Sequence, residues 1–289
     1  MLLASRAVPS TLAPALLGLA SAASWGAGDF SGGLAAKRSP LLGVLLLGQL
    51  AGTTLMALLA LLAHEGAPPA ASLAWAVAAG AVGAVGLAAL YRGLAVGRMA
   101  VVAPISAVLS AALPVAWGAL SEGSPSAVRL AGFALALLGI WLLARAGGGG
   151  GAATGRAGLG LALLAGVGFG AFLIFMHLGA RDGTFWPLAT ARGTAFLLVL
   201  ATALVRRGAW RPAAGALPLI LLSGSLDAGG NALFVLASQA GRLDVAAVLA
   251  SMYPASTVLL AAAVLREPVS RAQGVGLAAV LGAIALIAS

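Results

Sequence analysis

From Leu12 to Ala36 the only charged side chain is Asp29, and apolar runs of this kind recur along the whole chain. Cutting at charges, prolines and glycine clusters leaves stretches at 12–34, 41–63, 72–91, 99–119, 127–144, 157–179, 185–205, 215–237, 244–264 and 271–288. A helix needs about 20 apolar residues to cross roughly 30 Å of hydrocarbon, so these stretches predict ten transmembrane helices. Composition agrees. Only 8% of the 289 residues are charged and 62% are hydrophobic, whereas a soluble domain carries about 25% charged residues to wet its surface. The expected fold class is an all-α integral membrane protein, a multi-pass chain in the lipid bilayer of the cytoplasmic (inner) membrane.

A net charge of +9 would suit nucleic acid, but the sixteen basic residues stand singly or in pairs between apolar runs. They form no continuous patch, so no nucleic-acid partner is expected. With no cysteine, disulfides, thiolate metal sites and cysteine catalysis are excluded. Two histidines, His64 and His177, leave no basis for a histidine metal site. Arg6, the run after Leu12 and Ser21-Ala-Ala-Ser24 have the look of a signal peptide, but the apolar run continues to Ala36, which predicts a retained first helix.

The longest connection, Arg145 to Arg156, contains Gly147-Gly-Gly-Gly-Gly151 and falls near mid-chain, like a flexible linker between duplicated units. Sliding the sequence by 144 residues aligns Gly26 with Gly170, Gly80 with Gly224 and Gly86 with Gly230. The same shift aligns Gly97-Arg98 with Gly241-Arg242, Val101 with Val245, Ser126 with Ser270, Gly132 with Gly276 and Ile140 with Ile284. The organisation read from this is a first five-helix repeat (1–145), a Gly-rich linker (146–156) and a second repeat (157–289). Five is odd, so the second unit enters the membrane from the opposite side. Such inverted repeats are characteristic of secondary transporters, whose site lies near mid-membrane between the halves.

Orientation follows from Lys and Arg. Arg6, Arg129, Arg181 and Arg242 share one face. The other face carries Lys37, Arg38, Arg92, Arg98, Arg145, Arg156, Arg206, Arg207, Arg211, Arg266 and Arg271, which the rule makes cytoplasmic, with both termini outside.

At Leu265-Arg-Glu-Pro-Val-Ser-Arg-Ala-Gln-Gly-Val-Gly276 the chain resembles the drug/metabolite transporter (DMT) superfamily, in its ten-helix EamA-type branch. Glu267, Gln273 and Gly276 fit the pattern at the junction of the ninth and tenth helices. Ser121-Glu122, Arg129 and Gly132 echo it in the first half, with Arg where Gln would stand. Trp25-Gly26, Val102-Ala-Pro104 and Tyr253-Pro254 also look like family features. The resemblance implies two inverted repeats around a central cavity. It implies carriage of small organic solutes, amino acids included, often coupled to a proton gradient, and termini in the cytoplasm.

An ionisable group at the bilayer centre costs about 3 kcal/mol, so it faces a wet cavity or a partner. Counting ~1.5 Å per residue, Asp29 lies several ångströms inside the basic face and Gln49 somewhat deeper. Asp227, with Asn231 one turn on, lies near mid-membrane at the depth of Arg192. Two expectations follow. Arg192 and Asp227 pair, either as a structural staple or as a gate or substrate anchor. Asp29 either faces the cavity, binding a proton or a substrate amine, or snorkels towards Lys37 and Arg38. Trp25, one turn before Asp29, Trp117 and Tyr253 are candidate cavity walls for an aromatic or amphipathic solute. Trp75, Trp186 and Trp210 suit an interfacial belt, and Pro254 a kink in the ninth helix.

Gly166-Val-Gly-Phe-Gly170 lacks the third glycine of a dinucleotide loop, and no phosphate-loop Gly-Lys-Ser/Thr occurs. The expected function is a secondary transporter of small organic metabolites such as amino acids, working as an exporter by alternating access. It would need no cofactor beyond a proton gradient and act as a monomer or homodimer. A proton-coupled exporter of cationic drugs and a membrane-embedded enzyme are the alternatives.

Overall fold

The computed structural model describes residues 12–96, 99–146, 156–206, 210–266 and 269–288. Arg6, Gly97-Arg98, the Gly147–Gly151 linker, Arg207 and Glu267 lie outside the described residues. The helices are α1 (Leu12–Ala36), α2 (Leu41–Leu62), α3 (Ala70–Val96), α4 (Met99–Ser121), α5 (Ala127–Ala146), α6 (Arg156–Gly179) and α7 (Phe185–Arg206). A 3-10 turn, Ala214–Ala216, leads into α8 (Leu217–Ala240), followed by α9 (Leu243–Ala250), α10 (Tyr253–Leu265) and α11 (Arg271–Ala288). No strand occurs among the described residues.

The ten expected stretches are all helical, with one change: the ninth is two helices. Pro254 has no N–H for the carbonyl of Ala250, so the α9–α10 run breaks at Ser251 and Met252. Six segments are long and apolar enough to cross a membrane: Leu41–Leu62, Ala70–Leu90, Arg156–Gly179, Phe185–Val205, Leu217–Ala240 and Leu243–Leu265, the last taken across the break. The apolar parts of α4, α5 and α11 are shorter, at Ile105–Ser121, Ala127–Leu143 and Arg271–Ile287.

Large apolar side chains such as Leu62, Leu120, Val205 and Leu281 point outward, while the interior is rich in alanine and glycine. That distribution suits a lipid surround, where close backbone approach rather than water exclusion holds helices together. A Cβ on Gly224 would sit 2.7 Å from the Cα of Gly48, and one on Gly168 would sit 2.7 Å from the Cα of Gly86.

Helix positions repeat. α2 and α5 begin at residues 41 and 127 and their counterparts α7 and α11 at 185 and 271, each 144 later, while the 3-10 turn that leads into α8 begins at 214, 144 after the start of α3. α4 ends at 121 and α10 at 265, again 144 later. Packing follows the same exchange, with α1 against α8 as α3 is against α6, and α2 against α7. Hydrogen bonds from Ser21 to the carbonyl of Gly230, from Ser24 to that of Leu226 and from Ser223 to that of Gly28 set α1 and α8 antiparallel. Gly52 lies beside Arg192 and Glu65 beside Phe185, so α2 and its counterpart α7 run in opposite directions.

Two ends of the bundle differ in charge. The turns after α2, α4, α6 and α8 gather Glu65, Glu122, Asp182 and Asp244, which we call the acidic face. Lys37, Arg38, Arg92, Arg211, Arg266 and Arg271 lie at the other, basic face.

Candidate functional site

A cavity of about 290 Å³ opens between α1, α2, α3, α4, α6, α7, α8 and the α9–α10 break. Trp25, Asp29, Gln49, Arg192, Asp227, Asn231 and Tyr253 line it. Seven of the eight residues singled out in the sequence therefore meet in one place. Trp117 does not: it is 38% exposed on α4 and no part of the lining. It stands two turns beyond Ser110, which does line the cavity, and so nearer the acidic-face end of α4.

Each residue arrives for a local reason. Trp25 and Asp29 stand four apart on α1, one turn along the same face. Trp25 Nε1 donates to the carbonyl of Asp227 at 3.2 Å and to Asn231 Oδ1 at 3.1 Å. The ring stacks on Phe234 with centroids 6.1 Å apart and meets Tyr253 edge-on at 6.3 Å. Gly230 makes room for it, since a Cβ there would lie 2.7 Å from Trp25 Nε1. The break before α10 brings Ser251 and Tyr253 to the cavity wall.

Arg192 Nη1 pairs with Asp227 Oδ2 at 2.8 Å. The arginine side chain is 4% exposed and the aspartate 44%, so the carboxylate keeps its other side open to the cavity. Gly52 provides the notch that holds the guanidinium. Arg192 Nε and Gln49 Oε1 are buried at the cavity without a hydrogen-bond partner among the described residues. Asp29 is exposed into the same space, makes neither a hydrogen bond nor a salt bridge among the described residues, and interacts electrostatically with Asp227 and Tyr253.

Sequence reasoning missed Phe169, Phe172, Ser110 and Ser251, which also line the cavity. Gly83 leaves the room that Phe172 occupies, since a Cβ there would meet that ring at 3.2 Å. The three tryptophans assigned to an interfacial belt stand at helix ends or in a turn. Trp186 Nε1 donates to the carbonyl of Glu65 at 3.0 Å, Trp75 packs on Phe175, and Arg211 lies over the Trp210 ring. Among the described residues no group of three or more His, Cys, Asp and Glu is placed to hold a metal.

The motif at the start of α11 lies away from the cavity and is a helix cap. Ser270 N donates to Gln273 Oε1 at 2.8 Å, and Gln273 N donates to Ser270 Oγ at 3.3 Å, a reciprocal capping box. Gly276 then lets α11 close on α5 at Gly139 and Leu143. In the first half Arg129 N donates to Ser126 Oγ at 3.3 Å, half of the same device.

No curated protein matches the chain. A solved structure titled "Crystal structure of protein" is similar with a TM-score of 0.81 and 17% identity, covering 95% of this chain and 96% of that chain. At that identity the likeness is one of fold. Residues 156–289 match the model of the EamA-like transporter family. Over that segment the chain is similar to the EamA-like transporter family, in agreement with its resemblance to the drug/metabolite transporter superfamily.

Proposed function

We propose that the protein carries small organic solutes across the cytoplasmic membrane by alternating access between two inverted five-helix halves, 1–145 and 157–289, joined by the 146–156 linker. The return of helix starts after 144 residues and the opposed directions of α2 and α7 support the inverted arrangement. The observation that carries the reading is the cavity itself, in which two carboxylates and an arginine converge at mid-helix. Such groups are costly in a bilayer unless they line a solute path.

The chemistry favours a zwitterion of amino-acid size. Asp29 and the open side of Asp227 suit an ammonium, and Arg192 Nε suits a carboxylate oxygen. Trp25, Tyr253, Phe169 and Phe172 offer flat walls to an aromatic or hydrophobic side chain. At about 290 Å³ the cavity lies at the lower end of small-molecule sites. It extends towards the basic face, which the distribution of Lys and Arg makes cytoplasmic, and a site that loads from inside supports the export reading.

Counterflow of radiolabelled amino acids in proteoliposomes tests this. Solute exchange that Asp29→Asn and Arg192→Leu abolish supports it. Chemical conversion of solute without a second compartment would instead identify a membrane-embedded enzyme. Asp29, with no salt bridge among the described residues, favours a second reading, a proton-coupled exporter of cationic drugs. In that case organic cations exchange, amino acids do not, and Asp29→Asn removes the pH dependence.

A further inference from the structure

Two helix pairs face each other across the cavity. α1 and α8 are joined by the hydrogen bonds of Ser21, Ser24 and Ser223. α3 and α6 touch where Phe172 rests on Gly83 and where Gly86 meets Gly168. α2 with α7 closes the ring on one side, and α4 with α9 closes it on the other.

The 144-residue repeat relates these pairs, α1 to α6 and α3 to α8, and it maps lining position onto lining position. Asp29 corresponds to Leu173 and Asp227 to Gly83, while Asn231 corresponds to Leu87 and Trp25 to Phe169. All of them border the cavity. The frame is shared, but the chemistry is not. The α1–α8 wall brings two carboxylates, a carboxamide and an indole. Among the described residues the α3–α6 wall consists of glycine, alanine, leucine and phenylalanine.

The central crossing of each wall shows how the difference is built. On the polar side a Cβ added to Gly28 would lie 3.2 Å from the backbone nitrogen of Asp227. The repeat counterparts of those two residues are Phe172 and Gly83. There a Cβ on Gly83 would lie 3.2 Å from the Phe172 ring. The same contact therefore occurs twice with large and small residues exchanged. One crossing presents a carboxylate to the cavity, and the other presents a phenyl ring.

We infer that the α3–α6 wall is the side-chain selector of the site, with Gly83, Leu87 and Phe172 as specificity-determining residues, and that it admits zwitterions with apolar side chains and rejects those with polar ones. This rests on the reading of the cavity as a zwitterion site. Asp29, Asp227 and Arg192 hold the charged end of the solute, which directs its side chain to the opposite wall. A polar side chain there gives up its water and meets hydrocarbon, which costs affinity. An apolar side chain gives up nothing and gains contact.

Methionine and glutamine test this, because they share the zwitterion and nearly the same side-chain length and differ in side-chain polarity. Titration of the purified full-length protein in detergent, read by thermal shift, gives the affinity of each. The parent should bind methionine about a hundredfold more tightly than glutamine. Leu87→Asn gives the apolar wall the carboxamide of its counterpart Asn231 and should lower that ratio about tenfold. Gly83→Ala should push the Phe172 ring into the site and lower the ratio of phenylalanine to methionine affinity about tenfold, the scale of one methylene in an apolar pocket. Alanine favours a helix over glycine, so this variant carries the test even where Leu87→Asn fails to fold. A parent that binds methionine no better than glutamine, or ratios unmoved in the folded variants, overturns the selector. Binding needs no second compartment, so the expected ratios without solute counterflow defeat the transport reading and leave the selector standing. Counterflow with unmoved ratios does the reverse.

Discussion

Arg192 and Asp227, thirty-five positions apart on α7 and α8, meet at 2.8 Å with the arginine almost wholly enclosed. The pair is asymmetric, and so are the consequences of breaking it. Asp227→Asn leaves a buried guanidinium without its counter-charge and should destabilise the protein by about 3 kcal/mol or more. Arg192→Leu leaves a carboxylate that already looks into the cavity and should cost less. The double variant Arg192→Leu/Asp227→Leu should recover most of the stability lost in Asp227→Asn while abolishing solute exchange. Denaturation midpoints in detergent decide it: a double variant as unstable as the sum of the singles would mean that the two side chains do not act as a pair.

Gly52 is needed for that pair. A Cβ added there would fall 2.6 Å from Arg192 Nη2 and 2.7 Å from Cζ. Gly52→Ala should therefore displace the guanidinium and weaken solute affinity, although alanine is the better helix former. Gly33→Ala is the control, because nothing lies within 4 Å of its Cβ position. It should be neutral or stabilise by up to about 1 kcal/mol. Comparable affinity losses in the two variants would contradict the notch.

Pro254→Ala restores an N–H opposite the carbonyl of Ala250 and allows α9 to run on into α10. The expected result is a stable protein with impaired solute binding, since Ser251 and Tyr253 reach the cavity through the break. Retention of full exchange together with a continuous helix would show that the break has no part in the site.

Glu122 lies in the turn after α4, beyond the apolar stretch. Burial, with Asp244 adding to it, pushes its carboxyl above the ordinary 4.5, while the Leu243 N–H and Arg242 oppose that shift. The folded state thus holds the proton more tightly than the unfolded chain. Below 4.5 both states are protonated and the group has no net effect on stability. As pH rises through the raised value, ionisation costs the folded state and stability falls. Glu122→Gln is uncharged throughout, so its stability relative to wild type should improve with rising pH above 4.5. Melting temperatures across that window that diverge in the opposite direction would refute the assignment.

The sequence by itself determined the helices. Runs of about twenty apolar residues leave no alternative in lipid, where every backbone polar group must be satisfied within its own segment. It also carried the 144-residue period, a kink at Pro254, though not the full break into two helices, and the pairing of Arg192 with Asp227, because charges in oil are few and must find each other. It did not determine how far along α4 the cavity reaches: Ser110 lines it, whereas Trp117, two turns on, is exposed. Nor did it reveal that Phe169 and Phe172 line the cavity or that four scattered carboxylates gather on one face. Those outcomes depend on which glycines allow two backbones to touch, as at Gly48 and Gly224, and close packing between distant helices is settled only when the chain is assembled.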